Sequence, residues 1–166
     1  IGKDYPLGMD MEEVLKKADK QFGKENRIFY VITAEPATEE NLVEVQTVEE
    51  FDRIDYAIKY RGIPWHISFD TERGGKELMA VFTGCTDLNE ITLEQAEEIE
   101  EFLINCYGEP TREKRNIDDS IVSVGLWWEQ GKNMVSCSYL FEKNGPAKII
   151  TLSYSKNTLP KSEGSE

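Results

Sequence analysis

The chain writes one pattern twice: a short helical stretch closed by glycine, then apolar residues at every second position, interrupted by tight-turn residues. In the first copy Asp10 and Glu13 stand at capping-box spacing. Met11, Val14, Leu15, Ala18 and Phe22 recur at helical spacing before Gly23 ends the run. In the second, Thr92 and Gln95 open a stretch whose apolar face is Leu93, Ala96, Ile99, Phe102, Leu103 and Cys106, ended by Tyr107, Gly108 and Pro110. A helix with one apolar stripe and strands with one apolar face must bury them together. The repeat therefore predicts an α+β two-layer sandwich, a tandem helix plus three-stranded antiparallel meander. Two main helices would pack on one face of a six- or seven-stranded sheet. The expected single domain covers 1–157, with halves 9–85 and 91–157, and 158–166 reads as a disordered tail.

Turn residues fix which strand positions oppose one another, and a slip of one residue would turn every apolar side chain outward. Folding at Arg61-Gly62 sets Tyr60, Ile58, Tyr56 and Ile54 against Ile63, Trp65, Ile67 and Phe69. A turn through Glu72 to Gly75 then brings Leu78, Ala80 and Phe82 against Phe69, Ile67 and Trp65. In the second half, folding at Gln130-Gly131 pairs Leu126 with Val135, Val124 with Cys137 and Val122 with Tyr139. A turn around Asn144-Gly145 pairs Tyr139 with Ile150, Cys137 with Leu152 and Val135 with Tyr154. The segment Ile28 to Thr33 reads as an extra strand, followed by a loop containing Pro36 and a short strand at Leu42 to Gln46.

Thirty-two acidic against 19 basic residues give a net charge of -13, which repels phosphate backbones and excludes nucleic acid as the expected partner. No apolar run approaches the ~20 residues of a membrane-spanning helix. The chain starts at Ile1, so the expectation is an exported protein, with an export signal or a lipid anchor upstream of Ile1. That places it in the periplasm, at the outer membrane or outside the cell, with the cytoplasm as the alternative.

No residue set stands out for catalysis or metal binding, and no cofactor is expected. His66 is the only histidine, so multi-histidine metal sites are excluded. It falls opposite Ala57 on the outer sheet face and reads as a surface residue. Glu94, Glu97, Glu98, Glu100 and Glu101 read as a solvated helix face, and Asp118-Asp119 as a turn. Among the three cysteines, Cys106 and Cys137 fall on core-facing positions and Cys85 reads as the accessible one.

The outer face of the second meander is less polar than ordinary surface. The derived register puts Trp127 opposite Met134 and Ile121 opposite Leu140, with Ile149 adjacent and Ser123, Gly125, Ser136 and Ser138 between them. Large apolar residues on small-residue ground mark contact surfaces. These five residues are the expected binding site for another protein; the alternative is that the extra segment 28–46, or a second copy of the chain, covers them.

The opening Leu7-Gly8-Met9-Asp10-Met11-Glu12-Glu13-Val14, with Phe22-Gly23-Lys24 closing the helix, resembles the signature of small bacterial envelope lipoproteins of the SmpA/OmlA type. The repeated helix-plus-meander unit is similar to the tandem architecture of the beta-lactamase inhibitor protein. The resemblance implies an exported, non-enzymatic module that binds a protein with an open sheet face. The competing expectation is a small-ligand binding module or hydrolase with a cleft between the two units.

Overall fold

In the computed structural model, residues 3–34, 39–46, 51–60, 62–71 and 76–157 are described. Asp10 caps the first helix, α1 (Met11–Ala18), its carboxylate accepting from the Glu12 amide at 2.8 Å. The chain continues through a wider turn to Gly23, whose φ of 89° suits glycine. The second helix, α2 (Leu93–Tyr107), opens with both bonds of a capping box between Thr92 and Gln95, at 2.9 and 3.2 Å.

The strands are β1 (Arg27–Ile32), β2 (Leu42–Val45), β3 (Arg53–Tyr60), β4 (Ile63–Thr71), β5 (Leu78–Cys85), β6 (Arg112–Ile117), β7 (Ile121–Gln130), β8 (Asn133–Glu142) and β9 (Ala147–Lys156). They form one antiparallel sheet of nine strands in the order β2-β1-β3-β4-β5-β9-β8-β7-β6. This overturns the expected α+β sandwich of two main helices on six or seven strands. Strand makes up 52% of the structure and helix 23%, so the molecule is a large sheet with two short helices laid on it.

Two additions account for the larger sheet. The first half carries the β1–β2 hairpin on the outer side of β3. The second half has a fourth strand, β6, that alternation could not reveal: Arg112-Glu113-Lys114-Arg115-Asn116-Ile117 is almost wholly charged or polar because it is an exposed edge. Charged edge strands resist pairing with other chains, so lack of hydrophobic alternation here is a property of the position.

The β3–β4 pairing follows the derived register from Ile54↔Phe69 to Tyr60↔Ile63, and β8–β9 from Val135↔Tyr154 to Tyr139↔Ile150. Two registers differ from expectation. The β7–β8 loop is Gly131-Lys132, not Gln130-Gly131, so Val124 faces Tyr139 and Leu126 faces Cys137. Gly131 holds φ 65°, which glycine tolerates and glutamine resists; the pairing moves by two residues and every side chain keeps its face. Between β4 and β5 a register shift at Asp70/Thr71 puts Val81 opposite Phe69 and Thr83 opposite Ile67. Ala80 and Phe82, expected in the core layer, therefore turn to the other face. The Glu72–Gly75 turn, Arg61, Pro36 and the 158–166 tail lie outside the described residues.

Both helices cover the same side of the sheet, over two apolar clusters. One holds Met11, Val14 and Ala18 against Ile54, Tyr56, Phe69 and Val81. The other holds Ala96 and Leu103 with Val124, Leu126, Trp128, Cys137 and Ile150. Ile58 and Tyr154 touch both. Burying residues of this size contributes roughly 1.5–3 kcal/mol each. The indole N–H of Trp128 donates to the Gly108 carbonyl at 2.8 Å, fixing the end of α2 to β7. The expected face of α2 is rotated: Phe102 is 64% exposed and Cys106 is exposed, while Glu100 points at the sheet. Cys137 is buried as expected, but so is Cys85.

Candidate functional site

The face of the sheet opposite the helices carries the residues singled out from the sequence. Its lattice follows from the pairings. Running across the strands, Asp55 on β3 opposes Ser68 on β4, Ser68 opposes Phe82 on β5, and Phe82 opposes Ser153 on β9. Ser153 then opposes Ser136 on β8, Ser136 opposes Trp127 on β7, and Trp127 opposes Arg112 on β6. Two residues further along the strands, Gly84, Thr151, Ser138 and Gly125 form a second row of small residues on the same face. Phe82 and Trp127 are thus three strand spacings apart, about 14 Å. Hydroxyls lie between them, with Ser136 Oγ and Ser153 Oγ 2.6 Å apart.

Leu140 and Ile149 are directly opposite one another, and Ile121 lies diagonally beside Leu140 because it pairs with Glu142. Ile149 is 48% exposed; Ile121 and Leu140 are half-buried. Trp127 and Met134 are not opposite one another, because Met134 faces Glu129 and Ser155, and Met134 is buried. The apolar residues therefore split into an aliphatic group at one end of the strands and Trp127 nearer the other. Trp127 is half-buried and lies over Gly125: a Cβ there would meet its ring carbon Cη2 at 2.6 Å.

Three ion pairs neutralise charges on this face. Arg53 Nε and Nη2 donate to the two carboxylate oxygens of Asp70 at 2.6 and 2.9 Å, a fork geometry that carbon-bound ammonium cannot reproduce. Arg112 stands 3.5 Å from Glu129, and Lys148 reaches Glu142 at 3.1 Å. On the same face as His66, Asp55 of the first half is half-buried. Its carboxylate is hydrogen-bonded to Ser68, which is 1% exposed, while the other oxygen is buried without a partner. Burial pushes the Asp55 carboxyl above the usual range, against the Ser68 hydrogen bond and the charges of Arg53 and His66. The His66 ring lies over Gly84, where a Cβ would meet Cε1 at 2.8 Å.

A second polar group lies under α2. Glu100 accepts from Tyr139 Oη at 2.7 Å and is ion-paired with Arg115 of β6. Burial raises the Glu100 carboxyl, but the Arg115 and Tyr139 hydrogen bonds outweigh it and hold the group below its usual range. Tyr139 is pushed up by burial and by the same carboxylate. The group sits in an open depression of about 290 Å³ lined by Glu97, Glu100, Glu101, Ile104, Arg115 and Tyr139, at the α2–β6 edge of the sheet and not between the two repeat units. Sequence reasoning assigned Glu100 to the solvated face. Its spacing four residues after Ala96 and three before Leu103 is the signal that places it on the buried stripe.

Among the described residues no group of three or more His, Cys, Asp and Glu could hold a metal ion, and no helix is long and apolar enough to cross a membrane. No protein-family model matches the chain, and no curated protein or solved structure matches it either.

Proposed function

We propose that this chain is a non-catalytic module of the cell envelope or of the exported fraction that holds another protein against its outer sheet face. The observation that carries the reading is the segregation of the molecule's two sides. Both helices pack on one face, and the other presents Trp127, Leu140, Ile121 and Ile149 around a hydroxyl-rich floor, with Arg53, Arg112 and Glu142 paired to neighbours. Around the apolar residues Arg112 and Glu142 are already paired, so desolvating this part of the face costs less than desolvating the acidic helix side, and large apolar residues supply the gain. Met134, being buried, supports the floor and is not a contact. The resemblance of residues 7–24 to SmpA/OmlA-type lipoproteins supports the envelope location.

A photo-crosslinking residue at position 127 or 140, compared with one at position 102 on the exposed side of α2, tests this in cells. Partner adducts are expected from 127 and 140 and not from 102. Trp127→Glu should abolish the adducts formed from 140; adducts from 140 unaffected by that substitution, or adducts formed only from 102, would overturn the reading. Adducts with the chain itself would identify the partner as a second copy.

A further inference from the structure

Among the described residues, the outer face contains one group whose surroundings its own fold leaves unsatisfied. Asp55 Oδ1 is cut off from solvent and has no hydrogen-bond donor, whereas the other carboxylate bonds in its neighbourhood are made: Arg53 is committed to both oxygens of Asp70, and Ser68 serves Asp55 through a single hydroxyl. A sealed carboxylate oxygen is tolerated when the carboxyl is neutral and costs free energy when it is charged. We propose that Asp55, Ser68 and His66 form a proton-operated switch in the outer face, neutral at Asp55 in acid and charged above it.

The groups that face Asp55 can be named from each strand around it. On β1, Ile28 is directly opposite and Tyr30 lies diagonally, with Glu44 of β2 beyond Tyr30. On its own strand Arg53 flanks it; on β4, Ser68 is opposite, with His66 and Asp70 on either side. The Arg53–Asp70 pair is closed by its two bonds, and His66 lies on the other side of Ser68. Its ring rests on Gly84, in a place open only because residue 84 has no side chain. Burial raising Asp55 and the positive charges of Arg53 and His66 lowering it act in the directions this arrangement requires. Acidification therefore makes the β3–β4 part of the face more positive while leaving the Ser136–Ser153 floor and Trp127 unchanged. Its effect on partner affinity rests on the contact reading above; the switch itself does not.

The test uses the whole folded chain and no partner. The side-chain carboxyl carbon of Asp55 is followed by NMR against pH in the wild type, His66→Gln and Ser68→Ala. The wild-type midpoint should lie above that of an unfolded aspartate and move further up in both variants, since each removes a group that favours the charged form. Backbone amides of Ile28, Ala57 and Ser68 should shift with the same midpoint, and Asp55→Asn should erase that shift. A wild-type midpoint at or below the ordinary aspartate value, or one unmoved in both variants, would overturn the proposal. Loss of partner adducts in the crosslinking experiment would leave these midpoints untouched, so the two readings fail separately.

Discussion

Trp127 lies across Gly125 on its own strand, so closely that a methyl group at position 125 would come within 2.6 Å of the indole. The ring is held along the sheet, and its free face points away from the core. Gly125→Ala should push the indole off this seat. A loss of about 1–2 kcal/mol is expected from the forced shift, partly offset by the better strand propensity of alanine. Chemical denaturation gives the stability change, and tryptophan side-chain NMR shows whether Trp127 has moved while Trp65 and Trp128 stay in place.

Glu100 couples the helix layer to edge strand β6, and its sign with pH is defined. Its folded carboxyl is held low by Arg115 and Tyr139, so it contributes stability above the unfolded glutamate value, lost as pH falls through the folded one. Glu100→Gln should cost about 2 kcal/mol near neutrality, in the range of hydrogen bonds to a charged group, and little in strong acid. Urea titrations across that range measure it. Glu100 is the buried partner and Arg115 is 38% exposed, so Arg115→Met, which leaves the carboxylate with Tyr139 alone, should cost at least as much as Glu100→Gln near neutrality.

Asp55 has the opposite sign. Because its carboxyl is raised in the folded state, the protein loses stability as pH rises from the unfolded aspartate value through the folded one. Asp55→Asn is expected to be at least as stable as the wild type at neutral pH and to lose that advantage in acid. A clear destabilisation by Asp55→Asn at neutrality would contradict this.

The cysteines should separate by accessibility. Cys106 is exposed, Cys85 is buried, and burial pushes the Cys137 thiol up to about 12. The native chain should react with one equivalent of a thiol reagent at Cys106, and with three after unfolding. Mass spectrometry of the labelled peptides assigns the site, and Cys106→Ser should leave the native protein unreactive.

Much of the sheet could be read from residue order because hairpins are local. Arg61-Gly62 and the alternation of Ile54, Tyr56 and Ile58 are enough to pair β3 with β4. What could not be read depends on distant neighbours. The strand character of β6 comes from pairing with β7, not from its own side chains, and the Asp70/Thr71 shift that turns Phe82 outward has no signature in the turn. The expected Trp127–Met134 pair failed because the β7–β8 loop starts one residue later. Glu100 and Asp55 escaped notice for a shared reason: a carboxylate reads as surface until its Tyr139 or Ser68 partner is brought beside it by a strand far away in the chain.

The seam between the two halves is β5 against β9, and β9 comes after all eight other strands in chain order. During synthesis the first half can assemble long before its neighbour strand leaves the ribosome, and β5 waits as an open edge. Every message that stops short of residue 147 would release a protein with that edge bare, so the nascent chain, rather than the finished molecule, is the form most exposed to aggregation.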